Sequence, residues 1–237
     1  MKNKRNIYLK MKTLAEAREI LFQQFSEAGT MPGEEVPVLD AVGRILSEPV
    51  TAKLSSPNFH AAAMDGIAVK AENTFGTSET RPKQLLVGRE AFFLNTGHVM
   101  PEGTDAVIMI EHVTVLNEDR VQIEAPAFPW QNIRKMGEDI VATEMLFPQN
   151  HAITPYCIGA LLSAGILNVS VRKKPRVLII PTGSELVDWR SFDLKDLAPG
   201  QALETNSYVL GKLAESCGGV YQKHDRLHDD LETIRDA

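Results

Sequence analysis

Turn formers crowd the middle of this chain, and they limit what it is able to fold into. They recur as Ser55-Ser56-Pro57-Asn58, Asp65-Gly66, Gly76, Pro82, Gly88, Pro101 and Gly103. Glycine and proline punctuate regular structure, so only short segments survive between them. Those segments are β-prone: 67–69, 85–87, 92–94, 106–110, 113–116 and 121–123. The pattern predicts an all-β block over 51–149.

The flanks read differently. Thr13-Leu14-Ala15-Glu16 is a capping box ahead of Leu14, Ala17, Leu21, Phe25 and Ala28 at helical spacing, and Gly29 follows as a stop. Residues 35–39 read as a strand and 40–46 as a short helix. Thr154-Pro155 opens a second helix whose apolar face is Ile158, Leu161 and Leu162, ended by Gly165; a strand follows at 168–171. The matched textures predict one discontinuous helical domain, 7–50 with 150–174, interrupted by the β block. Its first helix is amphipathic and its two segments are small for a core of their own, which predicts a homodimer through this domain.

Beyond the linker Arg172-Lys173-Lys174-Pro175 the pattern changes again. Residues 176–180 are a continuous apolar run of the buried parallel-strand type. A helix over 206–217, a strand over 220–224 and a helix from 229 follow. This predicts that 175–237 opens a doubly wound α/β domain that the chain leaves truncated.

Net charge of −6 lacks the basic stripe of a general nucleic-acid binder. No apolar run approaches the ~18–20 residues of a membrane span, and the basic start has no apolar core of a secretory signal behind it. The two cysteines, Cys157 and Cys217, form no C-x-x-C. Both sit in apolar helical patterns, which predicts buried, inert thiols in a reducing, cytoplasmic setting.

Four turns place a carboxylate or hydroxyl beside a glycine: Ala63-Met64-Asp65-Gly66, Asn95-Thr96-Gly97, Gly137-Glu138-Asp139 and Thr182-Gly183-Ser184-Glu185. Glycine lets backbone N–H groups approach a ligand, so Gly66, Gly97, Gly183 and Ser184 are candidate ligand-binding positions. The four turns together suggest one site built from several loops. The last of them follows an apolar strand, at the end where open α/β sheets bind ligands. A carboxylate there pairs with adjacent N–H donors such as a 2-amino-4-oxo pterin edge, and a pair such as Glu185 and Asp229 suits Mg²⁺. Arg134 and Lys135 are positioned to meet a phosphate. His60, five residues before Asp65, reads as a structural or surface group. No G-x-S-x-G, H-E-x-x-H or Walker A motif is present.

Taken in order, these segments resemble the molybdopterin molybdenumtransferase family (MoeA and the E-domain of gephyrin). The resemblance rests on six ordered stretches. They are Gly43-Arg44-Ile45-Leu46 with Pro57 and Phe59, Ala63 to Val69, Thr96 to Val107, Asn132 to Asp139, Thr182 to Leu186, and Asp229-Asp230. It implies insertion of molybdenum from molybdate into adenylylated molybdopterin with release of AMP, by an elongated homodimer. It also implies that the α/β part is MogA-like, and that Mg²⁺ assists. Molybdopterin adenylyltransferase and molybdoenzyme-maturation proteins become candidate partners. Carried over, Asp65, Thr96, Asp139, Glu185 and Asp229 match the functionally important positions. Two departures stand out: Ser184 replaces an aspartate, and His60-Ala61-Ala62 replaces a polar run. The resemblance further implies that this chain is an N-terminal portion, inactive by itself. The alternative is a non-catalytic molybdopterin or molybdate sensor, or a scaffold, on the same fold.

Overall fold

The computed structural model describes residues 11–191, 193–227 and 231–236. The fold is of mixed α/β content, built mostly from two- and three-stranded sheets. It divides into two compact units. One is 35–171; the other joins the described residues up to Glu34 with those from Arg172 on.

The 35–171 unit has three apolar clusters. The first gathers Val38, Leu46, Val50, Ile153, Leu161, Ile166 and Val171, so 38–52 and 153–171 share one core although the β-rich stretch separates them in sequence. The other two lie on opposite sides of the strand Gly66–Val69. This strand pairs antiparallel with Ala91–Leu94 on one edge and Ala106–Met109 on the other. Ile67 and Val69 face a cluster with Leu85, Ile108, Val121 and Ile123, whereas Ala68 faces Ala62, Leu94, Val107 and Ile133. That is the two-residue period of a strand with both faces covered. In a second sheet Arg120–Ile123 lies between Lys83–Leu86 and Val113–Asn117, antiparallel to both.

Local signals set the helices. The helix Leu14–Ala28 starts at the capping box: the Thr13 hydroxyl accepts from the Glu16 N–H at 3.3 Å, and the Glu16 carboxylate accepts from the Thr13 N–H at 2.7 Å. Its large apolar residues do not enter a core among the described residues. Leu14, Leu21, Phe22 and Phe25 are all more than half exposed. The helix Pro155–Ser163 is capped by Thr154 and buries Cys157 and Leu161; Leu162, expected inside, lies on the open side. The expected helix at 40–46 is a single 3₁₀ turn, Val38–Asp40. Beyond it Ile45 and Leu46 bridge to Ala152 and Val171, so pairing across the domain overrides local helicity.

In the other unit, Arg176–Ile179 runs parallel to Val220–Lys223, and Leu186–Val187 parallel to Ala202–Leu203. The strand Arg176–Ile179 was expected to be buried. Its residues are instead exposed or half-buried, because among the described residues it has one strand neighbour and the helix Asn206–Ser216 packs against it. That helix approaches closely at Gly211, where a Cβ would stand 2.4 Å from the Tyr221 ring. Cys217, expected buried, is exposed at its end.

Candidate functional site

The segment His60–Ala63 organises the β-rich loops. On one side, Ala62 donates to the His98 carbonyl, Gly97 to the Ala62 carbonyl and Met100 to the His60 carbonyl. On the other, Ala63 donates to the Asn132 carbonyl, and Ala61–Ala62 pair with Ile133–Arg134. The loops carrying Thr96, Arg134 and Asp139 are thereby tied to the segment that leads into Asp65.

Asp65 and Thr96, 31 residues apart, meet directly. Asp65 Oδ1 accepts from the Thr96 N–H at 2.6 Å and from its hydroxyl at 3.0 Å. No bond to Oδ2 is seen among the described residues. The carboxylate opens into a cavity of about 230 Å³ lined by Gly66, Phe93, Leu94, Asn95, His98 and Ile110. The Thr96 amide, then its hydroxyl, hold Asp65 below the usual carboxylate range. His98 Nδ1 accepts from the Asn95 N–H at 3.2 Å, which leaves Nε2 to carry the proton of the neutral ring.

Because the folded-state pKa of Asp65 is depressed, its Thr96 bonds contribute above the unfolded value of about 3.9 and are lost as pH falls through the folded value. Thr96→Val is expected to bring the Asp65 titration midpoint back up toward the ordinary value, read by carboxyl ¹³C chemical shifts against pH. An unchanged midpoint would show that the hydroxyl and the turn geometry it fixes do not set this charge.

Arg134 and Asp139 form a fork. One guanidinium nitrogen, Nη2, lies 2.6 Å from both carboxylate oxygens, and Nε stands 3.8 Å from Glu138. The expected phosphate contact of Arg134 therefore competes with an existing ion pair. The turn amides are also engaged: Gly97 on Ala62, Gly137 on Pro57, Asp139 on Ser56, Lys135 on Glu138 and Gly183 on Leu227. These turns hold the loops in place, and those N–H groups are not free to cradle an anion. Gly66 has a steric reason as well as a place in the cavity, since a Cβ there would lie 1.9 Å from the Ile108 carbonyl oxygen.

The second unit carries Gly183, Ser184 and Glu185. Their turn is tied to the next strand end: Thr182 bridges Leu227, and the Arg226 guanidinium donates to the Ser184 carbonyl at 3.2 Å and to the Leu186 carbonyl. The Glu185 carboxylate folds back over Gly183. Asp229 lies outside the described residues. Of the expected magnesium pair only Glu185 is thus placed, and among the described residues no three His, Cys, Asp or Glu side chains gather as metal ligands. The described donor set does not by itself make a magnesium shell.

Sequence reasoning missed a polar cluster in this unit. Lys223 Nζ donates to Asp188 at 2.8 Å and to the Tyr208 hydroxyl at 3.2 Å, and it lies 3.2 Å from Glu204 Oε2. That last contact is ionic rather than an aligned hydrogen bond, since Oε2 finds no directed donor. Glu204 is 3% exposed, and its Oε1 accepts from the Ser207 N–H at the start of the helix Asn206–Ser216. Burial works against the Lys223 ammonium, but the hydrogen bonds to Asp188 and Tyr208 and the ionic contact with Glu204 outweigh it and hold the charge well above the usual lysine range. A cavity of about 370 Å³ opens beside it, lined also by Arg190, His224, Asp225 and Arg226. The available sequence signal was a lysine closing the short strand Val220–Lys223.

Comparison with known proteins places these loops in a family. A model described as the MoeA N-terminal region, domains I and II, matches residues 12–165. A putative molybdopterin biosynthesis protein of Methanocaldococcus jannaschii is 32% identical, aligned over 94% of this chain and 59% of its own length. Molybdopterin molybdenumtransferase 2 of Mycobacterium tuberculosis is also 32% identical, over 83% of this chain and 51% of its own. A crystal structure of a molybdopterin biosynthesis MoeA protein from Pyrococcus horikoshii superimposes with a TM-score of 0.78 at 35% identity, covering 86% of this chain and 57% of that one. The chain spans about half to three-fifths of the length of the relatives it matches. With the family model matching well over half of its residues, the chain belongs to the family of the MoeA N-terminal region.

Proposed function

We propose that this chain is the N-terminal part of a molybdopterin molybdenumtransferase. The whole protein, in this reading, inserts molybdenum from molybdate into adenylylated molybdopterin and releases AMP. The observation that carries it is the Asp65–Thr96 pair at the mouth of its cavity. With Oδ1 held by Thr96, Oδ2 is left to accept from ligand N–H groups, and Phe93, Leu94 and Ile110 offer apolar walls to a flat ring. A 2-amino-4-oxo pterin edge presents such donors. The relatives named as molybdopterin enzymes support the same substrate.

The remaining parts of the reading have separate supports. The apolar core joining 38–52 to 153–171 supports a discontinuous domain around an inserted β-rich one. The open apolar side chains of the helix Leu14–Ala28 support pairing with a second copy. The parallel pair Arg176–Ile179 and Val220–Lys223 with its helix supports a MogA-like α/β start. Free cysteines suit a reducing cytoplasm, and an adenylyltransferase that supplies the substrate is the expected functional partner. Magnesium, held by Glu185 and Asp229, belongs to this reading on the strength of oxygen-only donors. Ser184 favours the second reading, a sensor without chemistry, because it takes one negative charge from the α/β turn.

The test is binding of a soluble pterin to this chain by calorimetry. Asp65→Asn is expected to weaken binding roughly 10- to 100-fold, the worth of a charge-assisted hydrogen bond, with only a small fall in melting temperature. Equal affinity in both proteins would sink the pterin assignment. Where binding holds, AMP release from adenylylated molybdopterin on adding molybdate to the whole protein separates enzyme from sensor.

A further inference from the structure

Trp130 stands where a large side chain is least welcome. It follows Pro129 in a turn closed by the Gln131 N–H on the Phe128 carbonyl at 3.1 Å, and its φ is +68°. Proline at the second position and positive φ at the third mark a type II turn, whose third residue is normally glycine. A bulky residue in that region is a genuine outlier. Such outliers persist only where the surroundings enforce them, and they gather at functional sites.

The surroundings here are specific. The Trp130 N–H is held by the Asp105 carbonyl at 2.6 Å. The indole meets the edge of His60 with centroids 4.9 Å apart, and Lys135 Nζ lies 5.0 Å from its ring centre. His60 Nδ1 accepts from the Met136 N–H at 3.0 Å, so the neutral ring carries its proton on Nε2. Arg134 is engaged by Asp139 and Glu138, but no carboxylate pairs with Lys135 among the described residues. Even so, 43% of Trp130 remains exposed. An open aromatic face, an ammonium and an imidazole N–H thus sit together, with no acceptor among them. They border the loop that carries Arg134 and Asp139.

We propose that Trp130, Lys135 and His60 form a stacking subsite for a phosphate-bearing heteroaromatic ring. The ring lies on the indole, as bases lie on exposed aromatics in nucleotide-binding proteins. Its phosphate draws Lys135 Nζ off the ring face and accepts from His60 Nε2–H. This deepens the molybdopterin reading and rests on it, since adenylylated molybdopterin carries two such rings: the adenine and the pterin.

The test uses this chain with Trp189→Phe, which leaves Trp130 as the only indole. AMP and 6-hydroxymethylpterin phosphate are titrated separately, with fluorescence and calorimetry as readouts. Saturable quenching by AMP alone identifies the nucleotide half as occupant, and by the pterin phosphate alone the pterin half; either result supports the subsite. Lys135→Ala is expected to weaken the binding about tenfold. Trp130→Gly is expected to raise the melting temperature, by relieving the turn, while reducing affinity at least tenfold. A merely tolerated tryptophan would give the first change without the second. Retained affinity in Trp130→Gly, or no quenching by either probe, overturns the proposal. Unphosphorylated pterin, bound in an Asp65-dependent way while Trp130 fluorescence stays unchanged under both phosphorylated probes, would overturn this subsite and leave the pterin assignment standing.

Discussion

Gly66→Ala is expected to destabilise the 35–171 unit by about 3 kcal/mol or more, the upper range for forcing extra atoms into a packed interior. Gly66 is buried in the central strand of its sheet, between Leu94 and Met109. A Cβ there would lie 1.9 Å from the Ile108 carbonyl oxygen, 2.9 Å from its carbon and 3.1 Å from the Ile110 nitrogen. All three are backbone atoms, so no side chain can swing aside. Either the register pairing Gly66 with Met109 opens, or Asp65 is displaced from Thr96. Pterin affinity is therefore expected to fall together with stability, unlike in Asp65→Asn. Denaturant unfolding followed by Trp130 fluorescence in a Trp189→Phe background measures the first effect. A loss under 1 kcal/mol would mean that the strand yields easily and that the glycine has no steric role.

Lys223→Met is expected to cost the other unit about 3 kcal/mol. Removing one partner of a buried ionic cluster leaves the Glu204 carboxylate uncompensated, and Glu204 is nearly inaccessible. The figure stays at the low end of the buried range because Asp188 keeps 38% of its side-chain surface in solvent. Adding Glu204→Gln to the variant is expected to return part of the loss, because the uncompensated charge is then gone. Trp189 reports this unit, since its ring lies 6.1 Å from that of Tyr208; Trp130→Phe removes the other signal. A cost near 0.5 kcal/mol, typical of exposed ion pairs, would show that solvent already screens the cluster.

The parts of the fold that were readable from sequence are those fixed by neighbours a few residues away. Thr13 and Glu16 cap the first helix because each reaches the other's backbone within one turn. Thr154-Pro155 starts the second for the same kind of reason. The strands Gly66–Val69, Ala91–Leu94, Ala106–Met109 and Arg120–Ile123 lie within one or two residues of their expected positions, since the turns that bound them are written in glycine and proline. The expectations that failed depended on what packs against a segment. Residues 40–46 have helical composition, but Ile45 and Leu46 are drawn into bridges with distant chain. The run at 176–180 is apolar enough for a covered strand, yet its cover depends on neighbouring strands that its own residues cannot specify.

The candidate site divides in the same way. The sequence alone determined the residue types, the glycine turns and, through six ordered motifs, the family. Only the tertiary structure decided that Asp65 takes its hydrogen-bond donors from Thr96, that Arg134 is already engaged by Asp139, and that the turn amides hold loops instead of anions. It also decided that Trp130 occupies a glycine-like turn beside His60 and Lys135, and that Lys223 is enclosed by Asp188 and Glu204. The physical reason is range. Caps and turns are hydrogen bonds closed within three or four residues, so composition specifies them. The site's bonds join residues as far apart in sequence as Asp139 and Ser56, and their geometry exists only once the strand registers have fixed which backbone lies beside which.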